Sequence, residues 1–139
     1  MNRNINSLVL VILFFVFTSA CGKKGGAGGG TNEPKEENLQ VSLDPNPGSA
    51  VAASLNASYD FKLLVNSKMP AAGVKIDITC TKDADNSSVS SQSLTSSSAS
   101  TSILVNNLQP GILCTVKIAV TSLSLSTNKA SLSFKVARK

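Results

Sequence analysis

The chain has 139 residues, and its 13 basic and 8 acidic side chains give a formal net charge of +5. It contains no histidine, which excludes Ser-His-Asp and Cys-His catalytic arrangements and imidazole metal ligands. The basic residues are dispersed with few aromatic residues between them, whereas a nucleic-acid surface needs a continuous basic stripe, usually with stacking side chains. We therefore expect a protein without enzymatic activity, cofactor, metal or nucleic-acid partner.

The first residues have the organisation of an export signal. Arg3 supplies a positive charge, and residues 8–17 form an unbroken apolar run, LVLVILFFVF. This run matches a signal-peptide core and is shorter than the roughly 20 residues that a membrane-spanning helix needs. Three small residues then precede Cys21 in the order Thr-Ser-Ala. The sequence therefore predicts a signal peptide at residues 1–20.

The small residues and the cysteine together resemble the lipobox of bacterial lipoproteins. In that family the signal is cut before the cysteine, whose thiol receives a diacylglycerol and whose new amine is acylated. The resemblance implies lipidation at Cys21 and attachment to the cell envelope through lipid. Gly22 stands where lipoproteins retained in the inner membrane often carry Asp, which favours the outer membrane in a cell that has one. The alternative is an ordinary secretory signal that ends beside a free cysteine.

A glycine-rich segment follows at residues 22–38, with the sequence GKKGGAGGGTNEPKEEN. Such sequence has little side-chain surface to bury and loses much backbone entropy when it becomes ordered. We therefore expect the lipidated cysteine and a flexible linker at residues 21–38, followed by one folded domain at residues 39–139.

From Leu39 onward, apolar and polar residues alternate with a period of two. The alternating segments lie at residues 39–43, 59–65, 74–81, 103–108, 114–121 and 132–137. This pattern is typical of antiparallel sheets that are buried on one face, and about seven such strands in about 100 residues indicate an all-β sandwich.

Two segments fit this pattern less clearly. The alanines in residues 47–57 are compatible with a helical turn, although the flanking residues favour extended chain. The serine-rich residues 87–102 predict a loop with a weak edge strand. Because this stretch lacks charged side chains, it has little protection against pairing with a strand of another protein.

One stretch near the C-terminus is similar to a known family. Residues 106–120, NNLQPGILCTVKIAV, followed by a turn and KASLSFKV, resemble the C-terminal half of a fibronectin type III domain. That family has a leucine, then Pro-Gly, then a tyrosine that opens an alternating strand; Leu108, Pro110 and Gly111 match. Cys114 stands at the tyrosine position, and the family's early tryptophan is missing. The resemblance implies an immunoglobulin-like sandwich of about seven strands.

Cys80 and Cys114 fall in phase with the apolar positions of their strands, so both should face the core. The resemblance places them on the third and sixth strands of the fold, which are antiparallel neighbours. Because exported proteins meet an oxidising environment, we predict a disulfide between them. Closing this loop corresponds to about 3.8 kcal/mol of chain entropy. The alternative is a pair of buried thiols that act as small hydrophobic groups.

Two other candidate sites are weak. Asp83 and Asp85 have the spacing of a calcium loop, but Ser88 and Leu94 occupy the positions that need a glycine and an acid. We therefore expect a polar turn at these residues. Sugar-binding modules usually present flat aromatic faces, and this chain has one tyrosine and no tryptophan, so we expect no carbohydrate ligand.

The sequence as a whole predicts a lipid-anchored protein of the bacterial cell envelope. Its sandwich would act as a non-enzymatic interaction or adhesion module for a protein partner that the sequence does not identify. The alternative is a small accessory subunit of an envelope complex with no ligand of its own.

Overall fold

The computed structural model describes residues 35–139, so the predicted signal peptide, Cys21 and most of the predicted linker lie outside the described residues. All regular elements in the described range are strands, which confirms the predicted all-β class. The strands are β1 (Val41–Asp44), β2 (Val51–Ser54), β3 (Tyr59–Val65), β4 (Val74–Lys82), β5 (Ser88–Ser96), β6 (Ser100–Val105), β7 (Leu113–Ser122) and β8 (Lys129–Arg138).

The strands form two sheets of a β-sandwich. One sheet has the order β1-β3-β6 and the other has the order β2-β8-β7-β4-β5. All neighbouring strands are antiparallel except β2, which runs parallel to β8. The inward-facing side chains of both sheets form one hydrophobic core, as the period-two alternation predicts.

An aromatic cluster joins the two sheets near one end of the core. Phe134 of β8 packs edge-on against Phe61 of β3, with a centroid distance of 5.2 Å and an interplanar angle of 82°. Tyr59 of β3 lies 5.8 Å from Phe134 and 6.2 Å from Phe61. Edge-to-face aromatic pairs of this kind add about 0.5–1.5 kcal/mol to the stabilisation from burial.

The two segments that fit the alternation less clearly, residues 47–57 and 87–102, both contain strands in the structure. β2 lies within residues 47–57 and is extended, as the flanks of that segment favoured. The serine-rich segment, for which we expected a loop with a weak edge strand, contains the nine-residue edge strand β5 and the start of β6, joined by a short turn. β5 forms because its backbone pairs with β4 along its whole length, from Ser88 to Ser96.

Candidate functional site

The two described cysteines lie on adjacent strands and face the core. Cys80 on β4 and Cys114 on β7 are both fully buried, which confirms their predicted phase. Cys80 lies opposite Val116, however, and Cys114 lies opposite Lys82, so the two cysteines are diagonal neighbours. Diagonal residues in antiparallel strands are about 7–8 Å apart, whereas a disulfide suits a Cα separation of about 4.4–6.8 Å, so closing the bridge requires a shift of the backbone. Both are free thiols in the structure, and the predicted bridge is not formed there.

Their surroundings disfavour the thiolate form of both cysteines. Burial, and then the adjacent thiol of Cys114, raise the pKa of Cys80 to about 12. Burial also raises the pKa of Cys114. Because the thiolate is the nucleophile and is scarce under these conditions, the pair is not suited to covalent catalysis.

The bridge stays a prediction, and its test is direct. Mature protein taken from the envelope, denatured and alkylated without reduction, should yield a peptide linked through Cys80 and Cys114 in mass spectrometry. Reduction before alkylation is the control and should label both residues. Labelling of both without reduction would contradict the bridge.

The acidic turn between β4 and β5 is tied to the neighbouring strands. Asp83 accepts hydrogen bonds from the Thr115 hydroxyl at 2.6 Å and from Lys135 Nζ at 2.7 Å. The hydrogen bond from Lys135, and then that from Thr115, lower the pKa of the Asp83 carboxyl. Asp85 accepts a bond from the Ser87 amide at 2.9 Å. Residues 35–139 contain no group of three or more side chains placed to hold a metal ion. The described contacts therefore make this a structural turn.

Two edge strands, one from each sheet, lie next to each other on one side of the sandwich. β5 ends the five-stranded sheet and β6 ends the three-stranded sheet. Gln92 Nε2 donates to the Leu104 carbonyl at 3.0 Å, and the Thr101 hydroxyl donates to Ser96 Oγ at 2.8 Å. β5, at nine residues, is the longest edge strand in the described part of the chain, and it carries no charged side chain. Natural edges are commonly protected by charges, so this strand is a candidate for pairing with another chain.

A buried asparagine fixes the chain where it enters the domain. Asn128 Nδ2 donates to Glu36 Oε2 at 2.9 Å and to the Glu37 carbonyl at 2.8 Å, and Asn128 Oδ1 accepts from the Leu39 amide at 2.8 Å. Ser122 Oγ donates to Glu36 Oε1 at 2.8 Å. The sequence places Glu36 and Glu37 in the linker, but the structure holds both on the sandwich. In the sequence, these two glutamates stand beside a glycine-rich segment, and no pattern there predicts their contact with the sandwich.

A groove lies at the same end of the sandwich. It has a volume of about 610 Å³ and is lined by residues 35–37, 68–71 and 124–125. We call it the entry groove. Met69, Pro70 and Leu125 contribute its apolar walls, and Lys35, Lys68, Glu36 and Glu37 contribute charges of both signs.

Comparison with known proteins gives no functional assignment. No protein-family model matches the chain, and no curated protein matches it either. Within residues 35–139 there is no helix with the length and apolar character needed to cross a membrane.

Proposed function

We propose that this protein is anchored in the bacterial cell envelope through lipid attached to Cys21. Its fibronectin type III-like sandwich is a non-enzymatic interaction module. The strand order supports the fibronectin-like assignment. Immunoglobulin-like domains place strands C, F and G in one sheet, and β4, β7 and β8 are neighbours in this order in the five-stranded sheet.

The chemistry of the described residues supports an interaction role. The Cys80 and Cys114 thiols are buried and have raised pKa values. The carboxylate of Asp83 is occupied by Thr115 and Lys135, and that of Asp77 by Ser93 and Lys75. These polar groups stabilise strands and turns rather than converging on a cavity.

The observation that carries the proposal is the uncharged free edge of β5. An extended segment of a partner protein can add a strand to such an edge, with affinity from main-chain hydrogen bonds. Outward-facing side chains such as Ser91 and Thr95 are small and exposed, so they leave the backbone accessible. We therefore propose that the partner is an envelope protein with an extended segment that pairs with β5.

The lipid anchor is tested at Cys21. The Cys21→Ser protein should appear in the aqueous phase after detergent partitioning, or accumulate as uncleaved precursor, because serine cannot form the thioether. The wild-type protein should enter the detergent phase. Normal cleavage with unchanged recovery in the detergent phase would contradict lipidation.

The role of the β5 edge is tested by adding two positively charged side chains to β5. We expect Ser91→Lys with Thr95→Lys to reduce recovery of a co-purifying protein from solubilised membranes about tenfold or more, equivalent to about 1.4 kcal/mol. The matched control is Ser131→Lys with Ser133→Lys, which adds the same charges to exposed positions of β8, a strand of the same sheet that is not a neighbour of β5.

The outcomes separate the two functions. Loss confined to the β5 variant supports strand pairing. Equal retention by both variants would contradict it, and a stoichiometric complex retained in this way would favour the accessory-subunit alternative. Circular dichroism of both variants should match the wild-type spectrum, because exposed substitutions usually change stability by less than about 0.5 kcal/mol.

A further inference from the structure

Two exposed leucines share one turn at the end of the sandwich where the chain enters. Leu123 is 48% exposed and Leu125 is 44% exposed, and both lie in the connection between β7 and β8. Complete burial of a leucine side chain is worth about 1.5–3 kcal/mol, so a surface that covered both would gain stabilisation.

The turn that carries these leucines is held in place by its neighbours. The Leu123 amide donates to the Gly73 carbonyl at 3.0 Å, and the Ala72 amide donates to Ser124 Oγ at 3.2 Å. Ser122 Oγ accepts from the amides of Ser124 and Leu125, each at 3.1 Å. The leucines are therefore presented by a fixed turn joined to the loop between β3 and β4.

The surface around the leucines combines apolar and charged groups. Leu125 and Met69 line the entry groove, together with Lys35, Lys68, Glu36 and Glu37. The Glu36 carboxylate accepts hydrogen bonds from Ser122 and Asn128, and Glu37 Oε2 accepts one from the Lys68 amide, so both acids are held by the sandwich. The two salt bridges among the described residues involve Lys75 and Lys135, so neither groove lysine is paired with a described acid. Apolar side chains beside lysines suit a membrane surface, where hydrocarbon lies beneath anionic headgroups.

The chain that leads to the proposed lipid enters the domain at this end. The contacts of Asn128 fix Glu36 and Leu39 at the β7–β8 turn. Thirteen residues lie between Cys21 and Lys35, so the two are at most about 50 Å apart when this segment is fully extended. As the glycine-rich coil that the sequence predicts, the same segment would span about 20 Å.

The upstream chain itself does not suit the apolar groove. Residues 22–34 contain no Val, Leu, Ile, Met or aromatic side chain. A lipid layer supplies the apolar surface that this segment lacks.

We infer that the entry end of the sandwich rests on the membrane, with Leu123 and Leu125 inserted among the lipids and Lys35 and Lys68 against anionic headgroups. This inference depends on the proposed lipid anchor at Cys21. It sets the orientation of the domain: the opposite end points away from the bilayer, and the β5 edge runs from the membrane outward.

The absence of tryptophan from the chain allows a clean test. The full processed lipoprotein, carrying Leu125→Trp as its single tryptophan, is reconstituted in vesicles that contain anionic and brominated lipids. Leu55→Trp is the matched control, because Leu55 is 79% exposed and follows Ser54, which pairs with Arg138 at the opposite end. Leu123→Trp repeats the measurement from the same turn, should Leu125→Trp disturb folding.

We expect bromine quenching and a blue-shifted emission for the turn variants, and neither for Leu55→Trp. Vesicle flotation, measured on the same samples, reports the anchor separately. Flotation without quenching at positions 123 and 125 would overturn the membrane contact and leave the anchor intact. Equal quenching at positions 55 and 125 would overturn the orientation. A protein that does not float would overturn both the anchor and the contact.

Discussion

Phe134→Ala should destabilise the domain by about 3–5 kcal/mol, the usual cost of removing a buried phenylalanine side chain. Phe134 lies on β8 and is 4% exposed. It packs against Tyr59 and Phe61 of β3, the other two members of the aromatic cluster. Its removal leaves a cavity between the two sheets and deletes both aromatic contacts. For a domain with a total stability of about 5–15 kcal/mol, this is a large fraction of the free energy of unfolding.

Thermal unfolding of the mature protein measures this effect. At about 4–8 °C per kcal/mol, the melting temperature should fall by about 12 °C or more. Leu55→Ala is the control and should leave the melting temperature nearly unchanged, because its side chain is 79% exposed. A small loss for Phe134→Ala would mean that the two sheets close over the missing ring, and the aromatic cluster would then not be what joins them.

The strands that the sequence predicted well are those with one buried face. In β3, β4 and β7, side chains such as Leu63, Ile78 and Ile118 are almost fully buried, and their neighbours in sequence face outward. One-sided burial imposes a period of two on hydrophobicity, which a single sequence reveals directly. The fold class followed from this periodicity.

The contacts that the sequence did not reveal leave no such periodic signal. β5 forms by backbone pairing with β4, and its serines carry little hydrophobic contrast between the two faces. Asn128 and Glu36 are 92 residues apart in sequence, so the contact that fixes chain entry depends on the completed fold.

For the cysteine pair, the alternation pattern predicts the face of the sheet but not the cross-strand partner. The period fixes which face Cys80 and Cys114 occupy, and both do face the core. A shift of two residues between strands preserves every face, so the pattern cannot distinguish opposite residues from diagonal ones. The offset that separates Cys80 from Cys114 is set by the pairing of β4 with β7.

Gly73→Ala should cost about 2–5 kcal/mol, because two unfavourable effects coincide at this position. Gly73 has a φ of +85°, a conformation that is costly for residues with a Cβ atom. An added Cβ would lie 2.6 Å from the carbonyl oxygen of Ser96. That oxygen belongs to the backbone at the end of β5, where Ser96 pairs with Val74, so it cannot move away without disturbing the sheet.

Gly111→Ala separates the two effects. Gly111 has a φ of +70°, but an added Cβ would have no neighbour within 4 Å, so this substitution carries the conformational cost of about 1–2 kcal/mol alone. Denaturant unfolding of both variants should therefore give a clearly larger loss of free energy for Gly73→Ala. Because the Gly73 carbonyl also accepts the Leu123 amide, the backbone shift that relieves the clash would displace the leucine turn. Equal losses in the two variants would show that the end of β5 yields to the added methyl group, and that Gly73 is required for its φ angle rather than for the close approach of two strands.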